Sequence, residues 1–384
     1  MSSYMIFSPR KAIVGAGTVQ YLGSETLALG HRAFLVTYRP GRFTATGIPE
    51  EVRNLLKVVG VDVVCYGVEP EPGIATIDEG AQRCREAGCD LVIGLGGGSA
   101  LDAAKAIALL TKHDGSIRDY QMGEMKFEHP GLPVIAVPTT AGTGSEATKV
   151  SVITNKDAGV KKSVSHPLMV PEVVLLDAEL SFHLPPQLTA STGFDALSHA
   201  LESYVSLNAT PFSEGLALRA LELIGENLPR AVIHGADLIA RSNMLIASYL
   251  AGLSLNAGVG AAHILAQPIG AVTGLSHSDS IGILLPHVVR ANLDYSPEAY
   301  RRAAAALGEK VHGLDVNAGA ARIVRALERL LAEIGQLRRL RDRGVTEADL
   351  DDILEVTLRS QMHIKTNPRP VDIDLLRCLL QEAF

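Results

Sequence analysis

The chain has 384 residues, 47% of them hydrophobic and 20% charged, a composition typical of globular rather than disordered proteins. Its formal net charge of −7 argues against a nucleic-acid partner. The four cysteines have no metal-type spacing, and the N-terminal residues show no secretory pattern. These features predict a reduced, cytoplasmic protein.

The first half of the chain alternates short β-branched runs with helical segments. Strands separated by helices predict βαβ units and a mainly parallel sheet. Predicted strands cover residues 33–37, 61–66, 91–94 and 133–137, and predicted helices cover 49–59, 74–86 and 100–110. We therefore expect an α/β dinucleotide-binding domain over residues 1–187.

The pattern changes after Pro185-Pro186, where long Ala/Leu-rich segments predict an all-α domain over residues 188–384. Residues 242–278 contain no Asp, Glu, Lys or Arg, which raises the question of a membrane span. Polar residues, glycines and Pro268 interrupt the stretch. We therefore predict buried helices of a helical domain, without a membrane partner.

Two glycine- and hydroxyl-rich loops follow predicted strands, at Gly94–Ser99 and at Pro138–Glu146. Glycines let a backbone approach phosphate oxygens, and the N-terminus of the helix after the first loop favours negative charge. Ser99 suits an N-cap or a phosphate donor. Because ligands gather at the carboxyl ends of parallel strands, the loops predict a pyrophosphate site.

A second cluster of candidate residues lies in the helical half. Asp195 and His199 are four residues apart, a spacing that places both on one face of a helix. His263 and His277 follow in the uncharged segment. Four such donors suit Fe(II) or Zn(II) with a coordination position left for a substrate oxygen.

These motifs together resemble the iron-containing (group III) alcohol dehydrogenases. The matching stretches span nearly the whole chain in the order of that family: residues 96–105, 138–146, 193–199, 284–287 and 367–370. The resemblance implies an N-terminal dinucleotide domain, a C-terminal helical domain with a metal between them, and NAD(P)-linked interconversion of alcohols and aldehydes. It also implies that Asp195, His199, His263 and His277 are the metal ligands.

The motifs and the family resemblance together indicate the candidate site residues. The candidate catalytic residues are His277 and Gln267. The candidate cofactor-binding residues are Tyr38, Arg39, Gly96, Gly97, Gly98, Ser99, Asp102, Thr139, Thr140, Thr143, Ser145 and Lys161. We expect a homodimer or larger homo-oligomer that acts on a small alcohol or aldehyde.

Three positions depart from the family pattern. Gln267 replaces a frequent second histidine, and a glutamine cannot carry a proton at neutral pH. Tyr38 replaces the acidic residue that suits the ribose of NAD, and Arg39 and Arg42 flank it. Since guanidinium groups pair well with phosphate, this predicts NADP(H) in preference to NAD(H). Glu71 replaces an asparagine expected near the cofactor.

Lys149 and His363 are candidate substrate-pocket residues. A buried cation without a partner is costly, so an aldehyde with a carboxylate, phosphonate or sulfonate would suit them. The alternative is that Lys149 pairs with an internal acid or points at the cofactor phosphates, and that His363 is neutral and hydrogen-bonded in the core. Other open alternatives for the chain are a maleylacetate-type reductase, a glycerol-dehydrogenase-like or dehydroquinate-synthase activity, and a catalytically silent binding protein.

Overall fold

In the computed structural model, which describes residues 3–359 and 365–384, residues 5–183 form one compact unit built on a parallel sheet. The six strands of the sheet run in the order β1-β8-β5-β4-β2-β3, and each pairs with its neighbours in parallel. The strands are β1 (Lys11–Val14), β2 (Arg32–Tyr38), β3 (Asp62–Val68), β4 (Leu91–Gly96), β5 (Val134–Pro138) and β8 (Val173–Leu176).

Strands β4 and β5 form the centre of this unit. Every residue in both strands is buried, as expected for parallel strands with helices on both faces of the sheet. Gly96 is in register with Pro138, so the chain leaves both strands at the same edge of the sheet. This register brings the two glycine-rich loops next to each other.

Five α-helices belong to this unit, and a two-stranded antiparallel hairpin accompanies them. The helices are α1 (Leu22–Leu27), α2 (Ile48–Val58), α3 (Ile74–Glu86), α4 (Gly98–Leu110) and α5 (Ile117–Met122), and the hairpin strands are β6 (Val150–Asn155) and β7 (Val160–Ser165). The sequence analysis did not predict this hairpin.

Residues 184–359 and 365–384, together with residues 3 and 4, form the second compact unit. Its described part is helical throughout, which confirms the predicted all-α half. The helices are α6 (Pro186–Tyr204), α7 (Pro211–Ile233), α8 (Leu238–Ser254), α9 (Ala261–Thr273), α10 (His277–Asn292), α11 (Pro297–Ala306), α12 (Val316–Glu333), α13 (Glu347–Arg359) and α14 (Ile373–Ala383). The predicted boundary at residue 187 falls in the first turn of α6 and stays a prediction.

The uncharged stretch forms most of α8, all of α9 and the start of α10. Within the described residues, one segment, Leu238–Ala257, is long and apolar enough by composition to cross a membrane, and 56% of its apolar window is buried inside the protein. Helix α8 has close contacts with α6 and α7. It is therefore a packed helix of the second unit, as the interruptions in the sequence predicted.

Candidate metal and cofactor sites

Helix α6 carries the first two candidate metal ligands. Residues 189–204 of this helix are all buried, so its polar side chains face other protein groups rather than solvent. A Cβ at Gly193 would overlap the side chain of Leu228, so the glycine lets α7 approach closely. The predicted spacing holds: Nε2 of His199 lies 3.9 Å from Oδ1 of Asp195.

The other two candidate ligands come from the starts of two further helices. His263 lies in the first turn of α9, and His277 is the first residue of α10. Their Nε2 atoms lie 3.9 and 3.8 Å from the same carboxylate oxygen, Oδ1 of Asp195. The rings of His199 and His263 stack with centroids 4.6 Å apart. Three imidazole nitrogens therefore surround one carboxylate oxygen.

This arrangement fits a divalent metal ion. Ligand atoms from Asp195, His263 and His277 all lie within 4.8 Å of one another. His199 lies next to them, since its Nε2 is 3.9 Å from Oδ1 of Asp195. Among the described residues, Nε2 of His263 is buried and has no hydrogen-bond partner. A buried polar atom normally has a partner, and a metal ion would supply one here.

Glu202 is a further residue of this site, and the sequence analysis missed its role. It lies on α6 with its side chain 5% exposed, and its Oε2 is 2.6 Å from Nδ1 of His263. Burial raises the pKa of Glu202, but His263 and two backbone N–H groups outweigh burial and lower the pKa below its ordinary value. Burial likewise lowers the pKa of His263, and Glu202 and Asp195 outweigh it and raise that pKa.

The cluster is open on the side of His277. The side chain of His277 is 25% exposed, compared with 1% for Asp195, 9% for His199 and 8% for His263. Gln267 lies one helical turn after His263 on α9 and is half-buried. A substrate oxygen would therefore reach the cluster from the side of His277.

In the α/β unit, the two predicted phosphate loops are in contact. A Cβ at Gly98 would lie 2.6 Å from Cγ2 of Thr143, and one at Gly97 would lie 3.1 Å from Oγ1 of Thr140. Gly96 has φ +148°, a conformation that residues with a side chain rarely adopt. Glycines are thus required here by the close approach of the two loops and by backbone conformation, and the phosphate site itself stays a prediction.

The cap of α4 differs from the prediction. The N-cap is Gly97, and Ser99 is the second residue of the helix, so the prediction of Ser99 as N-cap was wrong. The helix begins at Gly98, two residues earlier than predicted. The hydroxyl of Ser99 accepts a hydrogen bond from the backbone N–H of Glu71 at 3.1 Å. The ring of Tyr38 packs against Gly96 and Gly97.

Asp102 has internal partners on both carboxylate oxygens. Oδ1 accepts a hydrogen bond of 2.5 Å from Ser145 and lies 3.3 Å from Nζ of Lys105, and Oδ2 accepts one of 2.9 Å from the backbone N–H of Val152. The fully buried Lys105 also donates to the carbonyl of Ser145. The geometry therefore indicates that Asp102 holds the second loop, and its predicted contact with the cofactor stays a prediction.

Two charged candidates in this unit are paired. Nη2 of Arg39 lies 3.1 Å from Oε2 of Glu69, and Nζ of Lys161 lies 2.7 Å from Oε1 of Glu71. Glu71 has φ +56°, and no other non-glycine residue in the described ranges has a positive φ. Of the two arginines behind the NADP(H) prediction, Arg39 is therefore paired with an acid, whereas Arg42 is exposed. Thr139 lies buried in the second loop.

The structure describes one of the two candidate substrate residues. Lys149 is half-buried, and its Nζ lies 4.3 Å from the ring centroid of Phe7, a cation–π contact. This contact is with an aromatic ring and not with an internal acid, so the predicted place of Lys149 in a substrate pocket stays a prediction. His363 lies outside the described residues, so its predicted role stays a prediction.

Comparison with known proteins gives matches over almost the whole chain. Residues 9–178 match the family described as iron-containing alcohol dehydrogenase, and residues 189–384 match the C-terminal domain of the Fe-containing alcohol dehydrogenase family. The NAD-dependent methanol dehydrogenase of Bacillus methanolicus is 36% identical over 98% of this chain and 99% of its own length.

Solved structures agree with these sequence matches. A crystal structure of 1,3-propanediol oxidoreductase has a TM-score of 0.95 and 33% identity, covering 100% of both chains. Sulfoacetaldehyde reductase from Bifidobacterium kashiwanohense, in complex with NAD+, has a TM-score of 0.89 and 30% identity, covering 100% of this chain and 99% of its own. This chain therefore belongs to the iron-containing alcohol dehydrogenase family.

Proposed function

We propose that the chain is a metal-dependent oxidoreductase that reduces a small aldehyde to its primary alcohol with NAD(H), and catalyses the reverse reaction. The observation that carries this proposal is the convergence of three imidazole Nε2 atoms, 3.8–3.9 Å from one carboxylate oxygen of Asp195. In a structural site such a set would be closed. Here the exposure of His277 supports an open side for substrate.

We assign the metal to Asp195, His199, His263 and His277. Fe(II) is the expected ion, and the same donors accept Zn(II). A divalent ion held there supplies a Lewis acid that stabilises negative charge on the substrate oxygen during hydride transfer. One carboxylate and three neutral imidazoles cancel only one of its two positive charges.

The protein groups around this set orient the substrate and exclude water. The side chains of Asp195, His199 and His263 are each less than a tenth exposed, so charge interactions are strong there. Gln267, on the same face of α9 as His263, can hydrogen-bond the substrate. Because an amide does not titrate, we propose that the alcohol proton leaves through water rather than through Gln267.

The α/β unit would hold the dinucleotide, with its pyrophosphate at Gly96–Ser99 and at the loop containing Thr140 and Thr143. We propose NAD(H) rather than the NADP(H) that the sequence predicted. Because Arg39 and Glu69 together carry no net charge, they offer little to a 2′-phosphate. The names of the methanol dehydrogenase and of the reductase complex with NAD+ agree with this choice.

A neutral aliphatic aldehyde is the proposed substrate, and an anionic aldehyde is the second candidate. The name of the sulfoacetaldehyde reductase favours the second candidate. A sulfonate could form a charge-assisted hydrogen bond with the ammonium group of Lys149, in place of its cation–π contact with Phe7. Comparing kcat/KM for propanal, succinic semialdehyde and sulfoacetaldehyde, in the wild type and in Lys149→Met, decides between them. An anionic preference that Lys149→Met abolishes would establish the second candidate.

The experiment that tests the proposed function is an NAD(P)H oxidation assay on protein loaded with Fe(II) or Zn(II), using aldehydes, maleylacetate and dihydroxyacetone. We expect turnover of aldehydes with NADH. Faster turnover of maleylacetate or dihydroxyacetone would instead establish a maleylacetate-type or glycerol-dehydrogenase-like activity. Absence of any turnover in the metal-loaded protein would favour a silent binding protein. The homo-oligomer and the cytoplasmic location stay predictions from the sequence.

A further inference from the structure

The carboxylate of Glu202 is surrounded by hydrogen-bond donors. Its Oε2 accepts from the backbone N–H of Gly260 at 2.8 Å and lies 2.6 Å from Nδ1 of His263. Its Oε1 accepts from the backbone N–H of Ala262 at 2.8 Å. Because a backbone N–H can only donate, the two amides hold this buried group as an acceptor-only carboxylate.

The protonation pattern of the His263 ring follows from this geometry. A carboxylate oxygen at 2.6 Å requires a donor on the facing nitrogen, so Nδ1 carries a hydrogen. In the neutral ring Nε2 then has a free lone pair. That atom is buried, has no hydrogen-bond partner within the described part of the chain, and points to Oδ1 of Asp195 at 3.9 Å.

We propose that Glu202 is a positioning residue for the metal centre. It selects the Nδ1–H tautomer of His263 and thereby presents Nε2 as a metal ligand. The proposal rests on the proposed function, because it takes the metal to bind at Asp195, His199, His263 and His277. No electron or proton is transferred by Glu202 in this role.

The same carboxylate also joins the two helices that supply the ligands. Glu202 is on α6, with Asp195 and His199, and its three partners are at the start of α9. A Cβ at Gly260 would lie 2.8 Å from Oε1 of Glu202, so the glycine is required for this approach. Glu202 therefore fixes both the tautomer and the place of His263.

A neighbouring residue provides a matched control. Asn367 is buried, and its Oδ1 accepts from the backbone N–H of Ala261 at 3.3 Å, in the same turn. It also exchanges two hydrogen bonds of 3.0 Å with Asn292. Asn367→Ala loosens the start of α9 and leaves the Glu202–His263 hydrogen bond in place.

The experiment compares the wild type with Glu202→Leu and Asn367→Ala. The first measurement is the Kd for Zn(II), by competition with a chelator. The second is the histidine tautomer in the metal-free protein, by ¹⁵N NMR, with the His263 signal assigned from its loss in His263→Gln. Circular dichroism establishes that each variant is folded.

We expect Glu202→Leu to weaken Zn(II) binding by about 10- to 100-fold, the usual effect of removing a residue that orients a metal ligand. We also expect the Nδ1–H tautomer of His263 to lose its dominance. In Asn367→Ala, the tautomer and the Kd should stay within about twofold of wild type. If Glu202→Leu does not fold, Glu202→Gln replaces it. The amide keeps the shape of the side chain, but it has one acceptor oxygen for three donors. We then expect Zn(II) to bind about 10-fold more weakly than in the wild type.

Three results would overturn the role of Glu202: an unchanged Zn(II) Kd in the folded variant, an unchanged tautomer, or equal weakening in Glu202→Leu and Asn367→Ala. The last would show a purely structural effect. If the wild type binds no metal, the proposed metal centre fails, and the role of Glu202 fails with it. By contrast, tight Zn(II) binding by both the wild type and Glu202→Leu would contradict only the role of Glu202.

Discussion

Replacing Lys105 by methionine should destabilise the α/β unit and loosen its second phosphate loop. The side chain of Lys105 is 1% exposed and lies 3.3 Å from Asp102. It donates to Thr148 and to the carbonyls of Ser145 and Val150. Methionine has a similar length and removes every one of these interactions.

The magnitude follows from what the variant leaves buried. Removing one partner of a buried ion pair costs about 3–5 kcal/mol, because the other charge remains uncompensated. Asp102 would keep its bonds from Ser145 and Val152, so the lower end, about 3 kcal/mol, is expected. A change of that size lowers hydrogen-exchange protection by roughly 100-fold.

The assay is amide hydrogen exchange in β6, the strand that contains Val152. Lys112→Met, an exposed lysine just beyond the same helix, is the control and should change protection by less than about 0.5 kcal/mol. The double variant Lys105→Met/Asp102→Asn removes both charges of this pair, so it should be less destabilised than the sum of the single variants by about 1–3 kcal/mol. A cost below about 1 kcal/mol for Lys105→Met, or full additivity, would refute the reasoning.

Three further predictions concern single residues. His263→Ala should lose most bound metal and activity; full metal occupancy would remove His263 from the ligand set. Burial raises the pKa of Glu146 to about 7, so between pH 4.5 and 7 the folded chain keeps a proton that the unfolded chain has released. The free energy of unfolding should therefore fall by roughly 3 kcal/mol as the pH rises from 4.5 to 7. Urea unfolding should show this fall in the wild type and no such fall in Glu146→Gln. Glu69→Gln frees Arg39 and should raise the kcat/KM ratio of NADPH to NADH about tenfold; an unchanged ratio would exclude this pair from cofactor choice.

Helices and strands with clear boundaries were predictable from the sequence. Helix α3 has the predicted bounds, Ile74–Glu86, because Gly73 precedes it and Gly88 follows its last turn. The hairpin of β6 and β7 was missed because its buried positions alternate with partly exposed ones over only six residues. Four of the six residues of β6 are β-branched, which favours a strand, but β7 contains two lysines and two serines, so its strand signal is weak.

The metal cluster was predictable in part. Helical spacing indicated that Asp195 and His199 share a face, but their closeness to His263 and His277 depends on packing between three helices. A role for Glu202 could have been suspected, because it lies on the same helical face as Asp195 and His199 and the helix has few other charged residues. Its partner is 61 residues away in the sequence, so only the folded chain identifies it.

Charge pairing was the main feature of the α/β unit that the sequence could not predict. The sequence shows that Arg39 and Lys161 are cations but not which acids they meet. Glu71 is 90 residues from Lys161, and Asp102 is 43 residues from Ser145. Long-range pairs of this kind decide whether a charged side chain is available to a ligand.

The most direct measurement of the central claim is an anaerobic titration of the metal-free protein with Fe(II), following NADH oxidation by propanal. The account predicts a rate that rises from background to a plateau at one ion per chain, and no such rise in His263→Ala. Full activity in the metal-free wild type, or an unchanged background rate after one equivalent of Fe(II) has bound, would contradict it.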